Sequence, residues 1–388
     1  MKLFVITSRI PFPLDKGDKL RIYHQMKSLA IANEIHLCAL QFPFSKNAEH
    51  AKKELKEFCT EVHYVKLSFL QIIVSLVRSI FTKTPFQTAL FTTYGAKKEV
   101  NHLIKSIKPK HIYCQLTRAA EYVRFENYQK TLDYMDVFSK GMERRAAKAP
   151  FYSKWLYQWE ATKQKQYEAE LFKDFNDHCI ITEEDRGFIN HPSKDTITVI
   201  RNGVDLNYFK PQTKTIQYDI VFVGNMGYAP NIDAAKFLCE EILPLIHKQK
   251  EGVRILLAGT NPSKSVLKLQ SSTVTVSGWM EDIRDAYAKS TLFIAPMRIG
   301  TGLQNKLLEA MAMEKACIST HLAAKPIKAM PNTISVGNSK EELANLCLEL
   351  LCDKDKRNTL ARAGHQFVNE TYKWEKTTER LHNLFFSN

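Results

Sequence analysis

Nothing in this sequence builds a disulfide framework or a metal finger. Its eight cysteines (Cys38, Cys59, Cys114, Cys179, Cys239, Cys317, Cys347 and Cys352) contain no Cys-x-x-Cys, and several lie inside apolar runs such as Cys179-Ile180-Ile181 and Ala316-Cys317-Ile318. There a free thiol packs as a small hydrophobe, which is the usage of a reducing compartment and points to the cytoplasm. The twelve histidines show no ligand spacing, so no metal is expected. No apolar run approaches the ~20 residues that cross a bilayer. Met1-Lys2 leads straight into strand-like sequence, and no leader segment is expected. Also lacking is Gly-x-Gly-x-x-Gly, which argues against a dinucleotide-binding protein. The net charge of +14 is not gathered into a Lys/Arg block or an RNA-binding signature. Of the anionic partners that a basic surface suits, nucleic acid is therefore the least supported, and none is expected.

What is present begins with enough apolar sequence, 44% of residues, for sizeable cores, in a length of 388 that suggests two domains. The chain is organised around residues 293–320, FIAPMRIGTGLQNKLLEAMAMEKACIST. A strand runs into a proline, a loop holds Gly300 and Gly302, and a helix follows that is apolar on nearly every face. Leu303, Leu307, Leu308, Met311 and Ala312 suit a buried helix. Asn305, Lys306 and Glu309 do not, because charged groups are seldom buried without a partner. Strand, glycine loop and helix N-terminus together form an anion site. Arg298 before the loop and Lys306 inside the helix would add two positive charges. Glu309 stands one turn beyond Asn305, placed to accept bonds from ligand hydroxyls, and a diphosphate joined to a ribose fits. A plain alternative stays open at this point: Lys306 and Glu309 as a helical ion pair, with the glycines merely turning the chain.

Taken in order, short apolar β-branched segments at 2–8, 36–42, 61–67, 111–115, 131–137, 179–182 and 197–200 read as buried parallel strands. A second series follows at 218–224, 253–259, 274–282, 291–296, 317–320 and 333–336. Helical patterning lies between them, including 20–32, 47–58, 139–175 as one long charged helix with Trp155 and Trp159 on one face, 341–351 and 354–371. Ligands gather at the carboxyl ends of such strands. Gly17, Asp18 and Lys19 after the first strand are therefore candidates, with a surface turn as the alternative. Asp133 and Asp136 could touch an acceptor or simply be solvated. Gly224 and Asn225 open a glycine turn, Gly278 another, and Asn202-Gly203 is a turn suited to a hinge. Residues 68–81 form an amphipathic helix with Phe69, Leu70, Ile72, Ile73, Leu76, Val77 and Ile80 on a broad apolar face, and Arg78 and Lys83 near its end. A core-facing role is the commoner one, while contact with an anionic membrane or a lipid acceptor is the other reading.

Pro296-x-Arg298-x-Gly300-x-Gly302-x-x-Asn305-Lys306, with Glu309-Ala310-Met311-Ala312, resembles the nucleotide-sugar motif of glycosyltransferase family 4. It is most similar to sugar transferases tied to bacterial exopolysaccharide and cell-envelope loci. Asn202-Gly203-Val204-Asp205 and the 218–231 segment are similar to the same family. The resemblance implies an α/β GT-B fold: two Rossmann-like doubly wound domains facing each other across a cleft. The acceptor-side domain would be 1–200, completed by a C-terminal helix at 372–388, and the nucleotide-sugar domain 201–371. It implies a retaining hexosyltransferase that moves a sugar from a nucleotide diphosphate sugar to a carbohydrate or lipid-linked acceptor hydroxyl, without cofactor or metal, in surface polysaccharide or glycolipid synthesis. The site residues it implies are Arg298 and Lys306 at the diphosphate; Gly300, Thr301, Gly302, Leu303, Asn305, Glu309, Gly224 and Asn225 around the donor; Gly278, Trp279 and Met280 near the base; and Gly17, Asp18 and Lys19 on the acceptor side. The chain departs from the family twice. Thr301 stands where the first glutamate of Glu-x7-Glu is usual, and no Arg and Lys follow Gly224, which leaves Arg298 and Lys306 to carry the charge. An epimerase of nucleotide sugars and a non-catalytic binding protein with a degenerate sugar site are the other readings. The implied location is cytoplasmic, with peripheral contact at the inner face of the membrane.

Overall fold

Successive apolar side chains in a strand point to opposite faces, so a continuous apolar run is stable only when both faces are covered. The opening segment meets that condition in the computed structural model, which describes residues 1–43, 48–300 and 302–386. In β1 (Lys2–Thr7), Leu3 and Val5 enter one core with Ile22 and Met26, while Phe4 and Ile6 enter another with Val100 and Ile104. The first sheet continues with β2 (Glu34–Gln41), β3 (Glu61–Lys66), β4 (His111–Gln115), β5 (Gln129–Asp133), β6 (Asp177–Ile180) and β7 (Thr198–Val199). Its order is β3-β2-β1-β4-β5-β6-β7, and every pairing is parallel. The order reverses between β1 and β4, which places the first unit's ligand-binding edge at the loops after those strands.

The second sheet contains β8 (Tyr218–Val223), β9 (Ile255–Ala258), β10 (Val274–Gly278), β11 (Ser290–Ala295), β12 (Ala316–Ser319) and β13 (Ser335–Val336). These are parallel too, in the order β10-β9-β8-β11-β12-β13, so the reversal falls between β8 and β11. The helix Asn305–Ala312 leaves the end of β11 and buries Leu307, Leu308, Ala310, Met311 and Ala312. That is the environment its all-round apolar sequence demands.

Two compact units result, residues 1–201 with 377–388 and residues 202–376. The sequence placed the limits at 200/201 and 371/372. Residues 372–376 go with the second unit because Val204 bridges Lys373 and the backbone of Trp374 lies against Gly203, where an added Cβ would meet Trp374 Cα at 2.8 Å. Residues beyond them turn to the first unit, whose core includes Leu381 and Phe385. The expected single helix over 139–175 is two, Phe138–Lys148 and Phe151–Glu170, followed by a short 3₁₀ turn at Leu171–Lys173. Pro150 causes the break: it lacks an N–H and drives Ala149 to φ −76°, ψ 147°, outside the helical region.

Candidate functional site

Where neighbouring segments crowd the end of a strand only glycine fits, and in the second unit it stands at two such ends. Gly224 follows β8 and donates its N–H to Ala258 O at 2.9 Å; Gly259 follows β9 and donates to Gly278 O at 3.2 Å. Gly259 has φ +135°, and an added Cβ would sit 1.9 Å from Gly224 O. Only glycine fits there. At Gly224 an added Cβ would meet Asn231 Nδ2 at 2.7 Å and Lys306 Nζ at 3.1 Å. The space beside Gly224 is therefore taken by two polar side chains from distant segments.

Lys306 reaches that space from the first turn of Asn305–Ala312. Its ammonium donates to Asn231 Oδ1 at 2.6 Å and lies 4.6 Å from the centre of the Phe222 ring. Asn231 is oriented in turn by donating to Asn225 O at 2.9 Å, and Asn225 Oδ1 accepts the Gly227 N–H at 3.0 Å. Burial lowers the Lys306 ammonium to about 8, against the opposing pull of Glu309. Glu309 is raised by burial, moderated by the Tyr287 hydroxyl and Lys306; Tyr287 donates to Glu309 Oε2 at 2.8 Å. Asn305 Oδ1 accepts from Asn202 Nδ2 at 3.4 Å, bringing the Asn-Gly turn beside the start of the same helix. No side chain caps that helix, so its first N–H groups and positive dipole end face the glycine loop.

Arg298 takes another course. Its guanidinium pairs with Asp233 (2.9 Å) and Glu241 (3.1 Å) and lies over the Phe237 ring at 4.2 Å. Of the two cations expected at the diphosphate, Lys306 lies against the Gly224 turn, while Arg298 is engaged by Asp233 and Glu241. Gly300 has φ +108° and Gly278 φ +66°, conformations that favour glycine, while Gly302 is not strained. Leu303 packs at the core edge, Met280 borders the same core, and Trp279 is 71% exposed. Thr301 lies outside the described residues. Asn231, Gly259 and Tyr287 were not singled out from sequence. Gly259, ending an apolar strand run, carried a readable signal; the contacts of the other two join segments far apart in the chain.

In the first unit the strand ends are charged. Asp18, at the start of the helix Gly17–Leu29, pairs with Arg9 at 3.2 Å and offers its carbonyl to Gln115 Nε2 at 2.7 Å. Lys19 pairs with Asp15 at 2.7 Å, and Gly17 is open on all sides. Arg118, beyond β4, stacks on Phe138 at 4.4 Å and donates to Gln87 Oε1 at 2.6 Å. Burial, with Arg9 and Arg145 nearby, lowers it to about 10. Asp136 is exposed beyond β5, whereas Asp133 is fully buried, accepting from Arg21 Nε at 2.6 Å and Tyr113 OH at 2.8 Å. Asp133 is therefore a structural anchor rather than an acceptor contact. Among the described residues no group of three or more His, Cys, Asp or Glu side chains is placed to hold a metal ion.

Residues 217–353 match the family model for glycosyl transferases group 1. A protein of Klebsiella pneumoniae, described as an uncharacterized 44.6 kDa protein in the cps region, is 22% identical over 346 residues, covering 84% of each chain. A GDP-mannose-dependent monoacylated alpha-(1-6)-phosphatidylinositol monomannoside mannosyltransferase of Corynebacterium glutamicum is 24% identical over 225 residues, covering 52% of this chain and 58% of its own. Of the solved structures, Anabaena HepE in complex with UDP and glucose is similar across the whole of both chains, at TM-score 0.71 and 13% identity. Likeness at that identity establishes the fold, which is GT-B.

Proposed function

With a glycosyl transferases group 1 domain as the second unit of a GT-B chain, we propose that this glycosyltransferase binds its nucleotide diphosphate sugar in that unit and transfers the sugar, with retention, to an acceptor hydroxyl. The observation that carries the reading is the Lys306 ammonium held at the Gly224 turn by Asn231, with Glu309 one turn away on the same helix. The family's usual cations after this strand are missing from the sequence, and Lys306 supplies one from another element. The bond from the sugar carbon to the leaving phosphate oxygen breaks and the bond to the acceptor oxygen forms, while the acceptor hydroxyl gives its proton to the departing phosphate oxygen. Charge grows on the diphosphate. Lys306 and the uncapped N-terminus of Asn305–Ala312 are fixed donors for it, which is where preorganised electrostatics lowers a barrier most. Glu309, oriented by Tyr287, accepts from the ribose hydroxyls.

On the acceptor side, Arg9, Asp18, Arg118 and Asp136 gather at the strand ends of the first unit. The acceptor is a carbohydrate or lipid-linked carbohydrate of the cell surface; two relatives support that class, one encoded in a cps region and one named for a lipid-linked mannoside.

The test is thermal stability with UDP, GDP, dTDP, ADP and NAD, for wild type, Lys306→Ala, Glu309→Ala and Arg298→Ala. A ligand at 100 times its Kd stabilises the native state by about 2.7 kcal/mol. We expect one nucleoside diphosphate to raise the melting temperature of wild type, the shift to fall to about a third in Lys306→Ala and to shrink in Glu309→Ala, and most of it to survive in Arg298→Ala. Nucleotide release from the matching sugar donor should then depend on acceptor. A shift with NAD alone, or with none of the five, overturns the reading.

A further inference from the structure

The helix Phe69–Phe81 turns most of its large apolar side chains to water. Its outward face carries Leu70 (74% exposed), Ile73, Val74, Val77, Ile80 and Phe81 (84% exposed). The face against the first unit is narrow and mixed: Ile72 enters that unit's core, Leu76 packs against it, and polar side chains bond beside them. Gln71 Oε1 accepts the Gly95 N–H at 2.9 Å, Ser75 donates to Thr92 O at 2.5 Å, Lys163 donates to Ser79 O, and only Ile72 and Ser79 are buried. Local hydrogen bonds therefore fix the orientation, and the outward apolar face is set by them. A surface helix ordinarily does the opposite, and an apolar face of this width marks an interaction site.

Charge identifies the occupant. From Val62 to Lys98 the chain contains no Asp or Glu, and it contains Lys66, Arg78, Lys83, Lys97 and Lys98. Arg78 and Lys83 are both exposed, one on the helix and one just beyond it. An isologous contact with a second copy would bring this all-cationic patch against itself, which like charges disfavour. An anionic surface with an apolar interior satisfies both faces of the pattern. A neighbouring element has the same character: Lys163, which bonds Ser79, lies on the helix Phe151–Glu170, whose first turns expose Phe151, Tyr152 and Trp155 beside Lys148 and Lys154. Trp and Tyr flanked by Lys are the residues of a membrane interface. At thirteen residues the helix is about 20 Å long and too short to cross a bilayer, and no described helix is long and apolar enough to do so.

We propose that the outward face of Phe69–Phe81 docks the first unit flat onto an anionic lipid bilayer, with Leu70, Val74, Val77 and Phe81 in the acyl boundary and Arg78 and Lys83 at the headgroups. This proposal stands apart from the sugar-transfer reading, and its test reads no nucleotide. The full chain is sedimented with vesicles of phosphatidylcholine alone and of phosphatidylcholine with phosphatidylglycerol. Wild type binds the anionic vesicles, and binding weakens as salt is raised. Leu70→Gln/Val74→Gln/Val77→Gln/Phe81→Gln abolishes it. Arg78→Gln/Lys83→Gln, which leaves the apolar face whole, weakens it by about fivefold per cation removed. Both variants replace exposed side chains and should keep the wild-type melting temperature; if the quadruple variant does not fold, the charge variant still decides. Absence of vesicle binding, binding unchanged in both variants, or a solution dimer that the quadruple variant dissociates would each overturn the proposal, the last by assigning the face to a second copy.

Discussion

Lys306 has two faces to its chemistry that make its role measurable. Burial lowers it to about 8, so it is protonated at pH 7 and largely neutral at pH 9. A bound diphosphate needs the ammonium form, and binding should therefore weaken above pH 8, approaching about tenfold per pH unit. Titrating Kd for the stabilising nucleotide from pH 7 to 9.5 checks this; Lys306→Ala should bind about 30-fold more weakly at pH 7, from the loss of about 2 kcal/mol of charge-assisted bonding, and show a flat profile. Stability of the free protein carries the opposite sign. The folded ammonium lies below its ordinary value, so the unfolded chain holds the extra proton, and Lys306 contributes a gain in stability as pH rises from about 8 towards its ordinary value of 10.5. The glycines beside it separate binding from folding. Gly224→Ala must displace Asn231 and Lys306 side chains and should lose nucleotide binding while the chain still folds. Gly259→Ala puts a Cβ into the Gly224 carbonyl at a positive φ and should cost about 3 kcal/mol or more in thermal or urea unfolding.

At the scale of elements, the helix Phe151–Glu170 caps two others. Glu160 accepts the N–H groups of Phe86 (2.9 Å) and Gln87 (3.0 Å), and Glu168 accepts the N–H (3.1 Å) and hydroxyl (2.6 Å) of Ser139 at the start of Phe138–Lys148. Burial outweighs those bonds at Glu168 and raises it to about 7. The folded state thus holds a proton that the unfolded chain has lost above about 4.5, and this contribution to stability falls as pH climbs from 4.5 to 7. Glu168→Gln, which cannot titrate, should remove that part of the slope when unfolding is measured at pH 5 and pH 8. These caps were invisible in the sequence, since each joins residues dozens of positions apart. The strands were visible for the converse reason. A parallel strand buried on both faces is a continuous apolar run, as at Phe4-Val5-Ile6 or Phe293-Ile294-Ala295, and needs no partner to be read. Lys306 and Glu309 also stood out as charges in an apolar helix, but that Lys306 meets Asn231 and that Asp233 and Glu241 hold Arg298 are facts of tertiary pairing. Pro150 is a helix breaker in the sequence itself, and the charged helical pattern on both sides of it masks the break.

For the whole molecule, the question is why two units with the same strand arrangement should differ in what they bind. The first 200 residues carry a net +9 against +5 for the rest, so charge alone would send a diphosphate to the first unit. Backbone access argues the other way. After β1 the chain runs Thr7-Ser8-Arg9 with no glycine until Gly17, and Arg9 and Lys19 are already paired with Asp18 and Asp15. After β8 and β9 come Gly224 and Gly259, closely approached, with an ammonium placed at the turn. A phosphate is held by N–H groups that it can reach and by charge that is not already neutralised, and in the second unit the uncapped start of Asn305–Ala312 and the Lys306 ammonium bring the two together, which favours that unit. Amide hydrogen exchange of the full chain with and without the stabilising nucleotide measures this directly. Protection should concentrate at 224–231, 278–280 and 302–309, with segments 9–19 and 115–118 unchanged until acceptor is added. Should nucleotide alone protect 9–19 and 115–118 most strongly, the donor would belong to the first unit, and the basic loops there would have to be reassigned from acceptor to diphosphate.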